Sequence, residues 1–167
     1  MTVRLDDLLH LVGAWEGTGH AEYPTIDTTD YREELVFEHN GKDPVLHYVQ
    51  KTWKPIRGGR AEEPIFWESG FLVDRGEGSF ELVSAQKSGR AEVLRGPAVR
   101  GEDGMITLDL ESASIVNDPR VLASARRLLI APDRIDYRLE MGLRTHPAVR
   151  VHLSATLQRA GTRPLES

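Results

Sequence analysis

The chain has 167 residues, a net charge of −5 at pH 7 and no cysteine. This length fits a single domain with a substantial core, predicted to span residues 1–167 with a flexible tail from about residue 160. The absence of cysteine excludes disulfides and thiolate metal sites, and the acidic balance argues against a general nucleic-acid binder.

The predicted elements run in chain order from one short helix into a series of strands. Apolar residues recur at helical spacing over residues 5–12, and Gly13 can end the helix, which we interpret as a lid or plug. Apolar and polar residues then alternate in short runs separated by turn-forming residues, which is typical of antiparallel strands. After a first strand that begins at residue 13, the predicted strands cover residues 31–39, 45–53, 65–73, 79–86, 91–96, 105–112, 134–142 and 149–159.

This arrangement predicts an all-β fold, a closed antiparallel up-and-down barrel of about ten strands with a short N-terminal helix. Closure protects the sheet edges, and a barrel of this size can hold a ligand. A two-sheet sandwich is the alternative. The segment 112–127 is ambiguous, since it could form a helical turn or enter a strand, and Pro119 limits the length of any helix there.

The first strand, GAWEGTGHAEYP from Gly13 to Pro24, has glycines on one face. The pair Gly17 and Gly19 marks either a sharp bend or a close approach by a ligand or another backbone. Trp15 suits a plug at one end of a barrel. The hydroxyl of Thr25, just past the strand, could cap a helix or hold the carboxylate of a ligand.

The run G-x-W-x-G-x-G-x-A-x-Y-P closely resembles the GxWxGxGxGxYP signature of the nitrobindins. The segments DYREELVFEHNGKDPVLHYVQKTW, PIFWESGFLV and HPAVRVHLSATLQR are similar to further strands of that family, so the resemblance covers nearly the whole chain. Two departures stand out. Ala21 replaces the third glycine of the signature, and Phe66 occupies a position where many relatives have a histidine on the far side of the haem.

The resemblance implies a ten-stranded barrel that holds one ferric haem b per chain. It implies that His152 is the axial iron ligand and that Thr25 contacts the haem, with Gly17, Gly19 and Phe66 beside it. Arg126 and Arg127 are basic candidates for the haem propionates, although a surface role is the alternative for at least one of them. A single neutral imidazole suits this chemistry because it leaves the sixth iron position open.

The position of His152 conflicts with strict strand alternation. His152 shares its parity with Arg150 and Ser154, whereas Val151 and Leu153 belong to the apolar face. Three explanations are open at this stage. A bulge could re-aim the side chain, the interior could be the more polar face, or the haem could lie at the mouth where the strand turns.

Two functions fit these residues. The resemblance implies an enzyme that isomerises peroxynitrite to nitrate through the His152-bound iron and binds nitric oxide. The alternative is a non-catalytic carrier or sensor for haem or for an apolar, fatty-acid-like ligand, since the same fold suits both. In either case we expect small-molecule partners, no nucleic acid, no membrane, and a monomer or homodimer. We also expect a cytoplasmic location, because acidic residues interrupt the apolar run of the N-terminus, which is therefore not typical of a signal peptide.

Overall fold

A computed structural model of the chain describes residues 2–23, 26–56, 58–59 and 61–161. A 3₁₀ helix over Leu5–Leu11 precedes ten strands. The strands are β1 (Gly13–Tyr23), β2 (Ile26–Glu38), β3 (Val45–Pro55), β4 (Glu62–Gly76), β5 (Ser79–Gln86), β6 (Ala91–Arg100), β7 (Ile106–Val116), β8 (Val121–Ile130), β9 (Arg134–Leu143) and β10 (Arg150–Arg159). The seven-residue helix falls far short of a membrane span, and the described residues contain no other helix.

The ten strands form one closed barrel in which each strand pairs antiparallel with its neighbours in sequence and β1 pairs with β10. The closing pair aligns Gly17 with Leu157 and Ala21 with Leu153. The predicted up-and-down barrel is therefore confirmed, and the sandwich alternative is wrong. Closure satisfies the backbone hydrogen bonds of β1 and β10, which would otherwise be exposed sheet edges.

The ambiguous segment 112–127 contains no helix. It supplies the end of β7, a turn, and most of β8. Asn117 adopts a φ of 65° in that turn, a conformation that asparagine tolerates better than most residues. Pro119 follows in the same turn, which explains why the helical interpretation fails.

The N-terminal helix plugs one end of the barrel. Leu5, Leu8 and Leu11 are buried, and the indole Nε1 of Trp15 donates a 2.8 Å hydrogen bond to the Leu11 carbonyl. The backbone N–H of Arg4 is capped by the Asp7 carboxylate at 2.8 Å. The predicted helix and the plug role of Trp15 are both confirmed, and the helix is of the 3₁₀ type that is common in such short connectors.

The interior divides into two zones along the barrel axis. The plugged end is filled by apolar side chains such as Leu46, Phe80 and Ile106. Beyond this apolar zone, buried polar side chains that hydrogen-bond to one another cross the barrel, and we call them the polar belt. The polar belt consists of Glu33, Gln50, Glu68, Ser84, Gln86, Glu92, Arg126 and Tyr137. The end opposite the plug is the mouth, where His152 lies.

Candidate functional site

A β-bulge turns His152 into the barrel. Val151 pairs with Glu140, whereas Leu153 pairs with Leu139, the very next residue of β9, so His152 is the extra residue on β10. Val151 is 37% exposed, while His152 is 2% exposed and Leu153 is also buried. Two successive side chains therefore face inward, which strict alternation forbids and a bulge permits. Of the three explanations for the parity conflict, the first accounts for the orientation.

Two effects favour the neutral form of the His152 imidazole. Burial lowers its pKa below the ordinary value, and the nearby charge of Arg90 lowers it further. A neutral imidazole has a nitrogen lone pair that can bind a metal. All six histidines lie in the described part of the chain, and His152 is the buried one; the others are half-buried or exposed.

Phe66 lies on β4, on the opposite side of the barrel from β10. It is half-buried, and its cross-strand neighbour is the buried Thr52. Its phenyl ring offers neither a metal ligand nor a proton donor. The mouth therefore combines one donor nitrogen, on His152, with an apolar side chain across from it.

Arg126 forms a buried ion pair inside the barrel. Its guanidinium is buried in the polar belt, 2.5 Å from both carboxylate oxygens of Glu68 and 3.1 Å from Glu92. Burial alone would raise the pKa of Glu68, but the charge and hydrogen bonds of Arg126 hold it below its ordinary value. The charge of Arg126 is thus balanced inside the barrel by Glu68 and Glu92, and a contact of Arg126 with a haem propionate stays a prediction. Arg127 points outward and lies 3.8 Å from Asp109.

Glu33 is a buried titratable residue of the polar belt that no sequence motif marks. Its Oε1 accepts hydrogen bonds from Gln50 Nε2, at 2.8 Å, and from the Tyr137 hydroxyl. Burial raises the pKa of Glu33 to about 7. The sequence alone could have indicated that Glu33 faces inward, because Glu33 shares its strand face with Leu35 and Phe37, which are core residues.

Arg90 is a second missed residue. It lies in the turn between β5 and β6 and is 9% exposed. Its Nη1 lies 3.3 Å from Asp118 and its Nε 3.7 Å from Glu92. No sequence pattern marks Arg90, because turns such as KSGR are ordinarily solvated and its burial depends on how the barrel closes around it.

The glycine face of β1 is filled by the protein itself. A Cβ at Gly17 would overlap the carbonyl oxygen of Thr156 on β10, and one at Gly19 would overlap the Tyr31 ring. The close approach at Gly17 is thus made by another backbone, one of the options open from the sequence. A haem contact at Gly17 or Gly19 stays a prediction, and Thr25 lies outside the described residues.

The donor set of the mouth fits one kind of metal centre. In the described residues, no three His, Asp or Glu side chains are grouped so as to hold a metal ion. A single neutral imidazole instead suits a metal whose other ligands come from a cofactor, as the porphyrin nitrogens of haem ligate its iron. His152, buried and inward, meets this requirement, and Phe66 adds no competing ligand.

The fold and this site together define a closed β-barrel with one buried histidine near the end opposite its helical plug. The chain belongs to the family described as the THAP4-like, heme-binding beta-barrel domain, whose profile matches residues 4–159. This membership confirms the resemblance to the nitrobindins.

Curated relatives and a solved structure agree with this membership. A protein of Arabidopsis thaliana named peroxynitrite isomerase Rv2717c is 37% identical over 152 residues, which cover 91% of this chain and 86% of that protein. Peroxynitrite isomerase 2 of Mycobacterium marinum is 38% identical, over 93% of this chain and 94% of that protein. The crystal structure of Rv2717c from M. tuberculosis superposes with a TM-score of 0.83 at 36% identity, covering 94% of this chain and 97% of that one.

Proposed function

We propose that this protein binds one ferric haem b through His152 and isomerises peroxynitrite to nitrate. The observation that carries the proposal is the β-bulge, which places a buried, neutral imidazole inside the mouth of a haem-binding-family barrel. Relatives named peroxynitrite isomerase, 32–39% identical to this chain, support the reaction. Nitric oxide binding at the same open position is part of the proposal.

In this mechanism the chain contributes a ligand, an orientation and an apolar wall. When bound, ferric haem supplies a Lewis-acidic iron that polarises an oxygen of peroxynitrite. His152 would hold the iron from one side, and its low pKa keeps the donor nitrogen unprotonated at neutral pH. Leu153 and Ala21, buried neighbours across β10 and β1, help to exclude water beside it.

The apolar side chain of Phe66 is compatible with this reaction. Peroxynitrite and nitrate have the same atoms and the same charge, so the isomerisation has no net proton uptake or release. A proton donor across from His152 is therefore not needed. Because a phenyl ring cannot ligate a metal, Phe66 would not compete with a small molecule for a haem iron held by His152.

The first test is titration of the apo-protein with hemin, for wild type, His152→Ala and His20→Ala. We expect wild type and His20→Ala to bind hemin with the same Soret spectrum, because His20 is an outward residue paired with Asp30. His152→Ala should lose stable binding while its circular dichroism stays that of a folded barrel. Added imidazole should restore a wild-type-like Soret band to His152→Ala, since it can replace the missing ligand.

The second test separates the enzyme from the carrier or sensor. The haem-loaded protein is mixed with peroxynitrite, and the decay rate and the nitrate yield are measured. Catalytic decay with an increased nitrate yield supports the isomerase. Saturable hemin binding without turnover would favour the carrier, and tight hemin binding by His152→Ala with an unchanged spectrum would show that His152 is not the ligand.

A further inference from the structure

The turn between β5 and β6 carries a buried guanidinium, on Arg90, that lies between two carboxylates. Its Nη1 donates a hydrogen bond to Asp118, whereas its Nε does not reach hydrogen-bond distance of Glu92. Arg90 approaches Asp118 at 3.3 Å and Glu92 at 3.7 Å. Asp118 is held more closely by Arg120, at 2.9 and 3.0 Å, and Glu92 by Arg126, at 3.1 Å. Arg90 is thus the more distant cation for each of its two neighbours.

Arg90 also has a donor with no acceptor. Among the described residues, no atom accepts a hydrogen bond from its Nε, although the side chain is about nine-tenths buried. A buried donor without an acceptor is costly, and the cost is larger for a charged group. The Nε of Arg90 is therefore the donor that a further carboxylate can use, since Glu92 lies beyond hydrogen-bond distance from it.

The strand order places Arg90 at an edge of the mouth. Phe66 is on β4 and His152 on β10, and the β5–β6 turn lies between these strands around the barrel. A flat ring held between His152 and Phe66 would have an edge near this turn. The β5–β6 turn and the start of β10, which carries His152, lie at the same end of the antiparallel barrel.

We propose that Arg90 binds a carboxylate group of the haem at this edge of the mouth. The inference rests on the proposed function, since it takes haem as the ring held by His152. The two propionates are the acidic groups at the periphery of haem, and an arginine fork matches a carboxylate in charge and shape. Arg90 is then a positioning residue that sets how the ring lies against His152.

The test compares hemin with hemin dimethyl ester, in which the two carboxylates are blocked. Both are titrated into wild type, Arg90→Gln and Arg95→Gln. Arg95 is the matched control, because it lies on β6 but is exposed and paired with Glu81 on the outer wall. We expect Arg90→Gln to weaken hemin binding by roughly tenfold or more, as for loss of a charged hydrogen bond, and to leave the affinity for the ester unchanged.

Two further measurements keep the outcome decisive. Thermal unfolding of each apo-protein shows whether the variant is folded, and Arg90→Lys, which keeps the charge but loses the fork, should give an intermediate hemin affinity. An equal loss for hemin and ester would indicate a purely structural role and overturn the inference, as would an unchanged hemin affinity. If wild type shows no His152-dependent Soret band with either compound, the proposed function fails as well.

Discussion

Glu33 is the polar-belt carboxyl that has no arginine within the described hydrogen-bond network. Glu68 and Glu92 both contact Arg126, whereas Glu33 accepts from the neutral groups of Gln50 and Tyr137. Burial is the main cause that raises its pKa to about 7, and the charge of Glu68 adds to it. Between the two pKa values, Glu33 is therefore protonated in the folded protein but deprotonated in the unfolded chain.

Protonation of Glu33 makes the free energy of unfolding decrease as the pH rises. In the unfolded chain a glutamate titrates near pH 4.5, so between about pH 4.5 and 7 the folded state binds more protons. The free energy of unfolding should therefore fall as pH rises through this window, by up to about 3 kcal/mol from this group. Glu33→Gln should remove that slope. Urea unfolding of both proteins from pH 4.5 to 8 measures it.

Glu34→Gln is the matched control for this prediction. Glu34 is the next residue of β2, points outward and is exposed, with Arg32 at 2.8 Å. Its substitution should leave the wild-type slope in place. Identical pH dependence in wild type and Glu33→Gln would show that Glu33 is ionised throughout the window.

At the scale of the strand, three inward glycines share one arrangement. A Cβ at Gly17, Gly70 or Gly96 would overlap a carbonyl oxygen of the adjacent strand, on Thr156, Val83 or Asp109 respectively. These glycines lie on β1, β4 and β6, so the close approaches are distributed around the barrel. They let neighbouring strands bend toward each other where a closed barrel must curve.

Gly17→Ala should consequently destabilise the apo-barrel. The added methyl must push against backbone rather than against a flexible side chain, and overpacking of this kind costs roughly 1 to 3 kcal/mol. Gly59→Ala is the control, because its Cβ would meet nothing closer than 3.7 Å and should change little. Thermal unfolding without hemin measures both, and equal stability of Gly17→Ala and wild type would contradict the assignment.

The sequence predicts the strands well because alternation along each strand reflects its one buried face. Glu33 follows that alternation and could have been identified as inward from Leu35 and Phe37. The direction of His152 could not be derived, because a bulge depends on pairing with β9, which lies outside its own strand. Arg90 and Arg126 could not be placed either, since their burial results from contacts between strands and turns distant in sequence.

At the scale of the molecule, the plug and the polar belt enclose a small apolar compartment. It is lined by apolar side chains such as Leu35, Leu82 and Leu108, with Gln50 and Arg126 of the belt at its border. Its cavity is about 60 Å³, whereas ligand pockets usually measure roughly 300 Å³ or more. The closed half of the barrel is thus packed core, with too little space for a ligand of ordinary size.

We therefore expect the apo-protein to reject fatty acids and accept hemin. A fluorescent fatty-acid analogue should show no saturable signal with wild type, because its chain would have to displace the packed apolar core. Leu108→Ala, which enlarges the compartment, is a useful comparison. It should lose about 2 to 5 kcal/mol of stability. Saturable one-to-one binding of the analogue by wild type would support the fatty-acid carrier alternative.

The bulge on β10 also bears on how such a site can be gained or transferred. One inserted residue turns the histidine inward, and from Leu153 to Leu157 the strand keeps the ordinary alternation of inward apolar and outward polar side chains. The bulge thereby turns an imidazole into the barrel without changing the side-chain alternation of the strand that follows it. Removing or adding a single residue between Val151 and Leu153 would be expected to switch the site off or on in one step, which makes this position a practical target for grafting metal ligands onto other closed barrels.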